Sequence, residues 1–481
     1  MKVFLLTKLK SKKMASLRVA SGRGHLPTDE TTTSADEERA SSTLADDEKT
    51  STSADSHAST KNSDENRTLA VPPHHWRYLW DTRRSFDVPA SPPTTPPALP
   101  DHLRLTSAAE ERTAEDDVEH FMSDVHNLLD KHYVEDEDGE FRFALTLPYL
   151  RWALMRPSTD YRCLIGIREK STNLLVGFCA AVPFDFWNAS KDENIAWIDF
   201  VCVHNKCRGQ RVCPFMYNEA EKRLSEHLGI RKIICTSGDL LPHPASSSRY
   251  YHRIIASSVP RLLECRFTDL APRMTLARTM KYYKFPEPTV TLHPLEECDV
   301  RGGSLRERFN NYTRERHLAA KLFSSDDELL HTLHRKENIV YTYVRREDPL
   351  PRTNDGAKDV NVSADKEEAK TSNHVTDFIS FYVNASDILT GTLAGEQLIG
   401  AYVFYSMVTT CTHAELLSSA LAALCNEVDV DHVCCLNGPM GFDKTTLKQC
   451  QFGPGTGVLN YYMYNFEHRE VPQEKLAWYT T

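Results

Sequence analysis

The chain has 481 residues, 40% of them hydrophobic and 26% charged, with a formal net charge of -10. That length carries a large core and two or three domains as a prior, and an acidic balance without a long basic stripe excludes nucleic acid as the expected partner. Thirteen scattered cysteines, odd in number and without a Cys-x-x-Cys pair, read as reduced cytosolic thiols rather than a disulfide frame or a zinc site.

The chain opens with "MKVFLLTKLKSKKMASLRVASGR", basic and free of acids. Its apolar core, Val3 to Leu6, is shorter than the ~7–15 residues of a secretory signal. A transit peptide, a ribosome- or membrane-surface tail, a true start at Met14 and a plain solvated tail all remain open. Residues 27–70 are Ser, Thr, Ala, Asp and Glu with almost no large apolar side chains, which predicts disorder; the tail is set at 1–75. "VPASPPTTPPALP" (88–100) is an extended connector within an arm at 76–114. Folded sequence is expected from near Glu115. No run approaches the ~20 apolar residues of a membrane span, so a cytoplasmic protein is expected.

"DVEHFMSDVHNLLDKHYV" has helical spacing and is followed by the acidic turn "EDEDGE". "CLIGIRE", "LLVGFCAAVPF" and "IAWIDFVCV" read as strands. Val212 to His227 reads as a helix with Val212, Phe215, Met216, Ala220 and Leu224 on one side, and "RKIICT" as a further strand. A second half begins near Val290. "SDDELLHTLHRK" is a helix with a Ser cap and acids in its first turn. "NIVYTYVR", "VTDFISFYV" and "LIGAYVFYSMV" are strands, "AELLSSALAALCNEV" is a helix, and the polar insertion between Glu347 and His374 is a surface loop. This alternation predicts an α/β or α+β fold with a mixed sheet. The shared rhythm of residues 115–289 and 290–481 predicts a duplication without residue-level repeats.

The most informative stretch is "IDFVCVHNKCRGQRVCP". A strand runs into a loop carrying Lys206, Arg208 and Gly209, and a helix follows with Pro214 in its first turn. Unpaired N–H groups at a helix start, with the dipole behind them, favour phosphate; an ordinary basic strand–helix turn is the competing reading. The loop is neither Gly-x-x-x-x-Gly-Lys-Ser/Thr nor Gly-x-Gly-x-x-Gly. A pyrophosphate ligand held without either motif suggests coenzyme A.

This stretch resembles the coenzyme-A segment of N-myristoyltransferases and, more faintly, the general acetyltransferase superfamily. "HYVEDEDGEFRF" (132–143), "CTSGDLLPHPASSSRYYHR" (235–253), "RMTLARTMKYYKFPEP" (273–288), "TDFISFY" (376–382) and "FGPGTGVLNYYMYNF" (452–466) resemble their counterparts in the same family, in family order across 76–481. The resemblance implies an α+β fold of two acetyltransferase-like halves related by a pseudo-twofold. A saddle-shaped mixed sheet with surrounding helices would result, the first half binding acyl-CoA and the second most of a peptide. It implies transfer of a myristoyl group from myristoyl-CoA to the N-terminal glycine amine of peptides and nascent proteins. No permanently bound cofactor, no metal and a monomer are expected.

By the same resemblance, the backbone N–H groups of Phe200 and Val201 form an oxyanion hole, and losing one such donor costs roughly 3 kcal/mol. The C-terminal carboxylate of Thr481 is the base for an α-amine whose pKa is near ~8. Coenzyme-A contacts fall to Leu79 and Trp80 in "RYLWDTRRSF", and to Phe200, Val201, Cys202, Val203, Arg208, Gly209, Gln210, Arg211, Val212 and Cys213. Peptide contacts fall to Val134, Asp136, Phe141, Phe143, Thr236, Gly238, Tyr250, His252, Ser380, Tyr402 and Thr456. A tight pocket that admits only a residue without Cβ explains a glycine requirement. Asp199 replaces a family asparagine, Gln210 a lysine and Thr456 a frequent aspartate. Thr456 predicts a weaker preference for Lys further along the peptide, while Asp199, Gln210 and the altered Trp80 region motivate a second reading, a non-catalytic acyl-CoA- or acyl-peptide-binding paralogue. A third, an acetyl-CoA-dependent amine acetyltransferase, leaves the second half and "FGPGTG" without a purpose.

Overall fold

The computed structural model describes residues 98–112, 118–134, 139–302, 304–347, 374–466 and 470–479. The tail at 1–75, Leu79, Trp80, Asp136, Thr481 and most of the 347–374 insertion lie outside the described residues.

The strands in chain order are β1 (Leu103–Ser107), β2 (Phe141–Ala144), β3 (Leu164–Glu169), β4 (Leu175–Asn188), β5 (Lys191–Val203), β6 (Ile233–Ser237), β7 (Ser246–Ile254), β8 (His293–Pro294), β9 (Ala319–Leu322), β10 (Val340–Arg346), β11 (Val375–Ile388), β12 (Gln397–Met407), β13 (His432–Leu436), β14 (Gly453–Tyr464) and β15 (Leu476–Ala477). The helices that shape the site are α1 (Glu119–His132), α2 (Leu147–Leu154), α3 (Val212–Leu228), α4 (Leu305–Arg316), α5 (Asp326–Leu333) and α6 (His413–Glu427).

One sheet runs β1-β3-β4-β5-β6-β14-β7-β13-β12-β11-β10-β8. Its two ends repeat one pattern. An antiparallel meander, β3-β4-β5, leads through α3 to β6, parallel to β5. Likewise β10-β11-β12 leads through α6 to β13, parallel to β12. The strand after each unit then crosses over: β7 pairs with β13, β14 with β6, and β7 with β14. The exchange repeats at the far ends of the long strands, where β2 pairs with β11 and β9 with β4. Two helices precede each meander in the same order, α1 and α2 before β3, α4 and α5 before β10. The duplicated rhythm is therefore a duplicated topology.

Local sequence accounts for these elements. α1 buries Phe121, Met122, Val125, Leu128 and Leu129, a stripe at i, i+1, i+4, i+7 and i+8. Each such side chain contributes about 1.5–3 kcal/mol by leaving water, and Phe121→Ala is the single change expected to open the largest hole there. The Ser325 hydroxyl accepts from the Glu328 N–H at the start of α5, the cap its sequence predicts. α3 buries Val212, Met216, Ala220 and Leu224 as expected, while Phe215 is half-buried. Ladder pairing starts at Leu103, earlier than the expected Glu115, because β1 pairs with β3. Hydrophobic pattern alone did not mark the short strands β1, β2, β8, β9, β13 and β15, nor β7 and β14; Ser246–Ile254 is mostly polar, and β14 opens with three glycines in five residues.

Candidate active site

β5 carries a bulge. Phe178 of β4 stands opposite Cys202, and Ala180 opposite Asp199, so three steps on β5 match two on β4. A bulge leaves one residue out of the ladder and bends its strand. Phe200 sits there with φ of 51°, a left-handed conformation that disfavours a bulky side chain; such outliers gather at functional sites. The side-chain alternation slips by one residue in consequence. Trp197, Phe200 and Cys202 join the core against α1 and α2, whereas Ile198 and Val201 join the core against α3.

Asp199 precedes the bulge, deep in the protein but keeping some accessible surface, as expected of a side chain lining an internal opening. Burial pushes its carboxyl up to about 7, against the opposing pull of the Phe200 N–H, the Arg156 guanidinium and the Tyr133 hydroxyl. That hydroxyl reaches Asp199 Oδ1 at 3.5 Å, a long contact, and the Tyr133 ring stacks on Phe200 with centroids 6.0 Å apart. The sequence flagged Asp199 as a departure. It did not signal that the carboxylate lies beside the very N–H expected to serve an oxyanion, whose dipole favours the charged form.

After Val203 the chain turns through Asn205–Cys207 into α3. Gly209 and Arg211 both have positive φ, 81° and 61°, on either side of Gln210. Left-handed residues interleaved with others point successive N–H groups into one concavity, an anion-binding geometry. No side chain caps α3, so its first-turn N–H groups have no intrahelical partner. A Cβ at 209 meets nothing within 4 Å; the glycine there serves conformation rather than space. Lys206, Arg208, Gln210 and Arg211 are exposed. Arg208 donates to Val203 O at 3.0 Å and to His132 O at 2.7 Å, so it also closes the C-terminus of α1. Cys202 and Cys213 border the turn as neutral thiols, pushed up to about 12 and about 11 by burial.

The expected peptide residues fall into separate environments. Val134 O accepts from Phe143 N at 3.1 Å, which joins the end of the α1 segment to β2. Phe141 packs edge-on against Phe267 in a satellite core. Thr236 and Gly238 end β6 beside Asn460, whose amide donates to Gly238 O at 3.4 Å. Tyr250 and His252 are buried on β7, with ring centroids 6.5 Å apart. The Ser380 hydroxyl is engaged with the backbone of Tyr405, and Tyr402 stacks on Tyr382 at 4.8 Å. Thr456 is exposed where β14 bulges away from β7 between Pro454 and Val458. The last described residues are not frayed. β15 pairs with β9, Trp478 packs on Tyr461 and the Tyr479 hydroxyl donates to Pro439 O at 3.2 Å.

A bulged strand, a helix and a parallel return strand, occurring twice, define an acetyltransferase-like fold doubled in one chain, and only the first of the two helices, α3, begins without a side-chain cap. Residues 91–248 match the family model for the "Myristoyl-CoA:protein N-myristoyltransferase, N-terminal domain", and residues 264–477 match the C-terminal domain of the same description. A probable glycylpeptide N-tetradecanoyltransferase of Caenorhabditis elegans is 31% identical over 74% of this chain and 72% of its own length. The glycylpeptide N-tetradecanoyltransferase of Plasmodium falciparum is 32% identical over 75% of this chain and 80% of its own. A crystal structure of Saccharomyces cerevisiae N-myristoyltransferase with bound myristoyl-CoA superposes with a TM-score of 0.65 at 25% identity, covering 79% of this chain and 83% of that one. The chain belongs to the N-myristoyltransferase family of acyltransferases. Among the described residues no helix is long and apolar enough to cross a membrane.

Proposed function

We propose that this protein transfers a myristoyl group from myristoyl-CoA to the amine of an N-terminal glycine in peptides and nascent proteins. The observation that carries the reading is the positive-φ bulge at Phe200, which leads within a dozen residues into the uncapped, basic start of α3. The pyrophosphate sits on the concave turn at Gly209–Cys213, held by N–H groups and by the charges of Arg208 and Arg211. The thioester oxygen lies at the N–H groups of Phe200 and Val201. The glycine amine attacks the thioester carbon, negative charge grows on the oxygen, and the donors stabilise it there. The carbon–sulfur bond then breaks and coenzyme A leaves as thiolate. The proton lost by the amine goes to the terminal carboxylate of Thr481; the buried approach through Trp478 and Tyr479 supports that direction. Tyr250, Thr236 and Gly238 border the amine, and Val134, Asp136, Phe143, Tyr402 and Thr456 lie along the peptide. Leu79 and Trp80 cover the outer cofactor.

Mass spectrometry of a Gly-initiated octapeptide incubated with myristoyl-CoA and the purified chain tests this. An Ala-initiated peptide and a chain shortened by two residues run beside it. One myristoyl group on the Gly peptide alone, lost on shortening, is the expected result. Acyl-CoA bound with no product sinks the catalytic reading.

A further inference from the structure

On the face of the sheet between β7 and β13, far apart in sequence, three side chains of metal-binding type meet. Cys434 stands opposite His252 in the antiparallel register, and His432 lies two residues back on the same strand and hence the same face. Cys434 Sγ is 3.0 Å from His252 Nδ1 across 182 positions of sequence. One ligand atom from each of the three residues lies within 4.8 Å of the others. All three are at most 1% exposed. The sequence reading, which expected no metal, had no means of joining them.

His432 supplies the second observation. Neither of its ring nitrogens has a hydrogen-bond partner, although the side chain is buried. A polar group left in that state destabilises the fold unless something satisfies it. The surroundings hold it in place. The Phe267 ring centroid lies 4.5 Å from that of His432, and Gly400 stands opposite it on β12, where an added Cβ would approach Nε2 to 2.9 Å. Burial pushes His252 down to about 3 and His432 down to about 4, so both are neutral, the form that binds metal. Burial pushes the Cys434 thiol well up, so its thiolate forms only against a cation; the neighbouring Tyr402 hydroxyl pulls the other way and would support the thiolate from outside the ligand set.

We propose that His252, His432 and Cys434 form a binding site for a monovalent copper ion. Two imidazoles and one thiolate are soft to borderline ligands suited to Cu+ or Zn2+. Charge decides between them. Cu+ with one thiolate and two neutral imidazoles is neutral in this dry site, whereas Zn2+ with the same three ligands keeps a net positive charge. Binding exchanges the Cys434 thiol proton for Cu+; the proton goes to solvent, a Cu–S bond forms, and no oxidation state changes. The site shares His252, with Tyr402 beside it, with the expected peptide contacts; Cu+ binding is read without peptide or acyl-CoA, so its failure and that of acyl transfer are distinguishable.

The test titrates Cu+ anaerobically into the full chain carrying Cys298→Ser, which removes the exposed thiol, against a chromophoric Cu+ chelator, with a parallel Zn2+ titration. One Cu+ per chain is expected, with Zn2+ held at least about tenfold more weakly, and Cys434→Ala or His432→Phe weakening Cu+ by about ten- to a hundredfold. Equal Cu+ retention by Cys434→Ala, tighter Zn2+ than Cu+, or no stoichiometric Cu+ overturns the proposal. Should a variant lose its circular dichroism, X-ray absorption of the Cu+-loaded parent decides. One sulfur and two nitrogen neighbours support the site, and sulfur-only coordination sinks it.

Discussion

The two halves carry a bulge and a strand–helix turn at the same places in their topology, and they use them oppositely; only the first half has positive φ there, at Phe200, Gly209 and Arg211. In β12, Ser406 stands opposite Ile379 and Val403 opposite Phe381, the three-against-two count of β5. The residue facing that second bulge is Ser380, whose hydroxyl accepts from Tyr405 N at 3.1 Å and donates to Tyr405 O at 3.3 Å. The residue facing the first bulge is Cys179, a weak hydrogen bonder. The turns differ in the same sense. Before α6, the Asp377 carboxylate of β11 accepts from Thr409 N at 2.6 Å, Thr410 N at 2.9 Å, and the hydroxyls of Thr376 and Thr410. The register position of Asp377 is held by Val176 in the first half, and α3 begins uncapped among basic residues. One half fills its donors with its own anion and hydroxyl. The other withholds them, and a place for an outside ligand is what remains.

The largest expected effect comes from removing the built-in anion. Asp377→Val makes the second turn like the first and strands the donors of buried Thr376 and of Thr409 and Thr410, which had served a charged acceptor, at about 2–4 kcal/mol. Urea unfolding measures the loss, and the sharper arm adds sulfate or phosphate. If Asp377 stands in for a ligand anion, tens of millimolar anion restores part of the variant's stability and none of the parent's. Those hydrogen bonds hold the Asp377 carboxyl below its usual range despite burial, so its contribution is present at neutral pH and fades as pH falls through that lowered value.

The reciprocal change, Cys179→Ser, gives the first bulge the hydroxyl that closes the second. The expected result is a fall of about 30- to 100-fold in single-turnover acyl transfer, near the effect of losing one oxyanion donor, with melting temperature unchanged or slightly raised. An unaffected rate would mean that the Phe200–Val201 N–H groups do not serve the reaction.

Much of this fold was legible because hydrophobic period reports local elements. Each helix and strand read from "DVEHFMSDVHNLLDKHYV" to "AELLSSALAALCNEV" is found within a few residues. The exchange of β7 and β14 was not legible, since Ser246–Ile254 owes its place to pairing with β13 and β14 rather than to its own pattern. In the site, the turn at 204–214 announced itself through charge and glycine. The bulge did not, because φ at Phe200 follows from register with β4, and nothing in "IDFVCV" encodes it. The partners of Asp199, Ser380 and His252 come from other strands and helices, and sequence spacing is silent about these.

Asp199 separates the halves in a third way, for Val403 holds the equivalent place beside the second bulge. With its carboxyl near pH 7, Asp199 is neutral in mild acid and becomes a carboxylate beside the developing oxyanion as pH rises. Asp199→Asn is expected to match the parent's transfer rate near pH 6 and to exceed it by about tenfold above pH 8, read as the ratio of the two pH–rate profiles. Stability follows the same sign. The folded value lies above the unfolded one, near ~3.9, so the parent's cost accrues between about pH 4 and 7 and persists above. A constant rate ratio across pH would remove Asp199 from the oxyanion's surroundings.

The smallest effect concerns the charge of the first turn. Gln210 donates to Lys206 O at 3.0 Å and is exposed, so it steadies the loop while adding no charge. Gln210→Lys trades that tie for a cation. Because the position is open to solvent, the gain is at most about 1 kcal/mol, and screening within about 10 Å at 0.1 M salt shrinks it further. Isothermal titration with myristoyl-CoA is expected to show about threefold tighter binding at low salt, falling to parity near 0.3 M. The second turn supplies the control. An Asp377→Val chain gains nothing from the same lysine beyond what the parent gains, since the acyl-CoA phosphates sit on one turn alone. Tighter binding that ignores salt would trace to loop geometry instead. No change at any salt would move the phosphates off this turn.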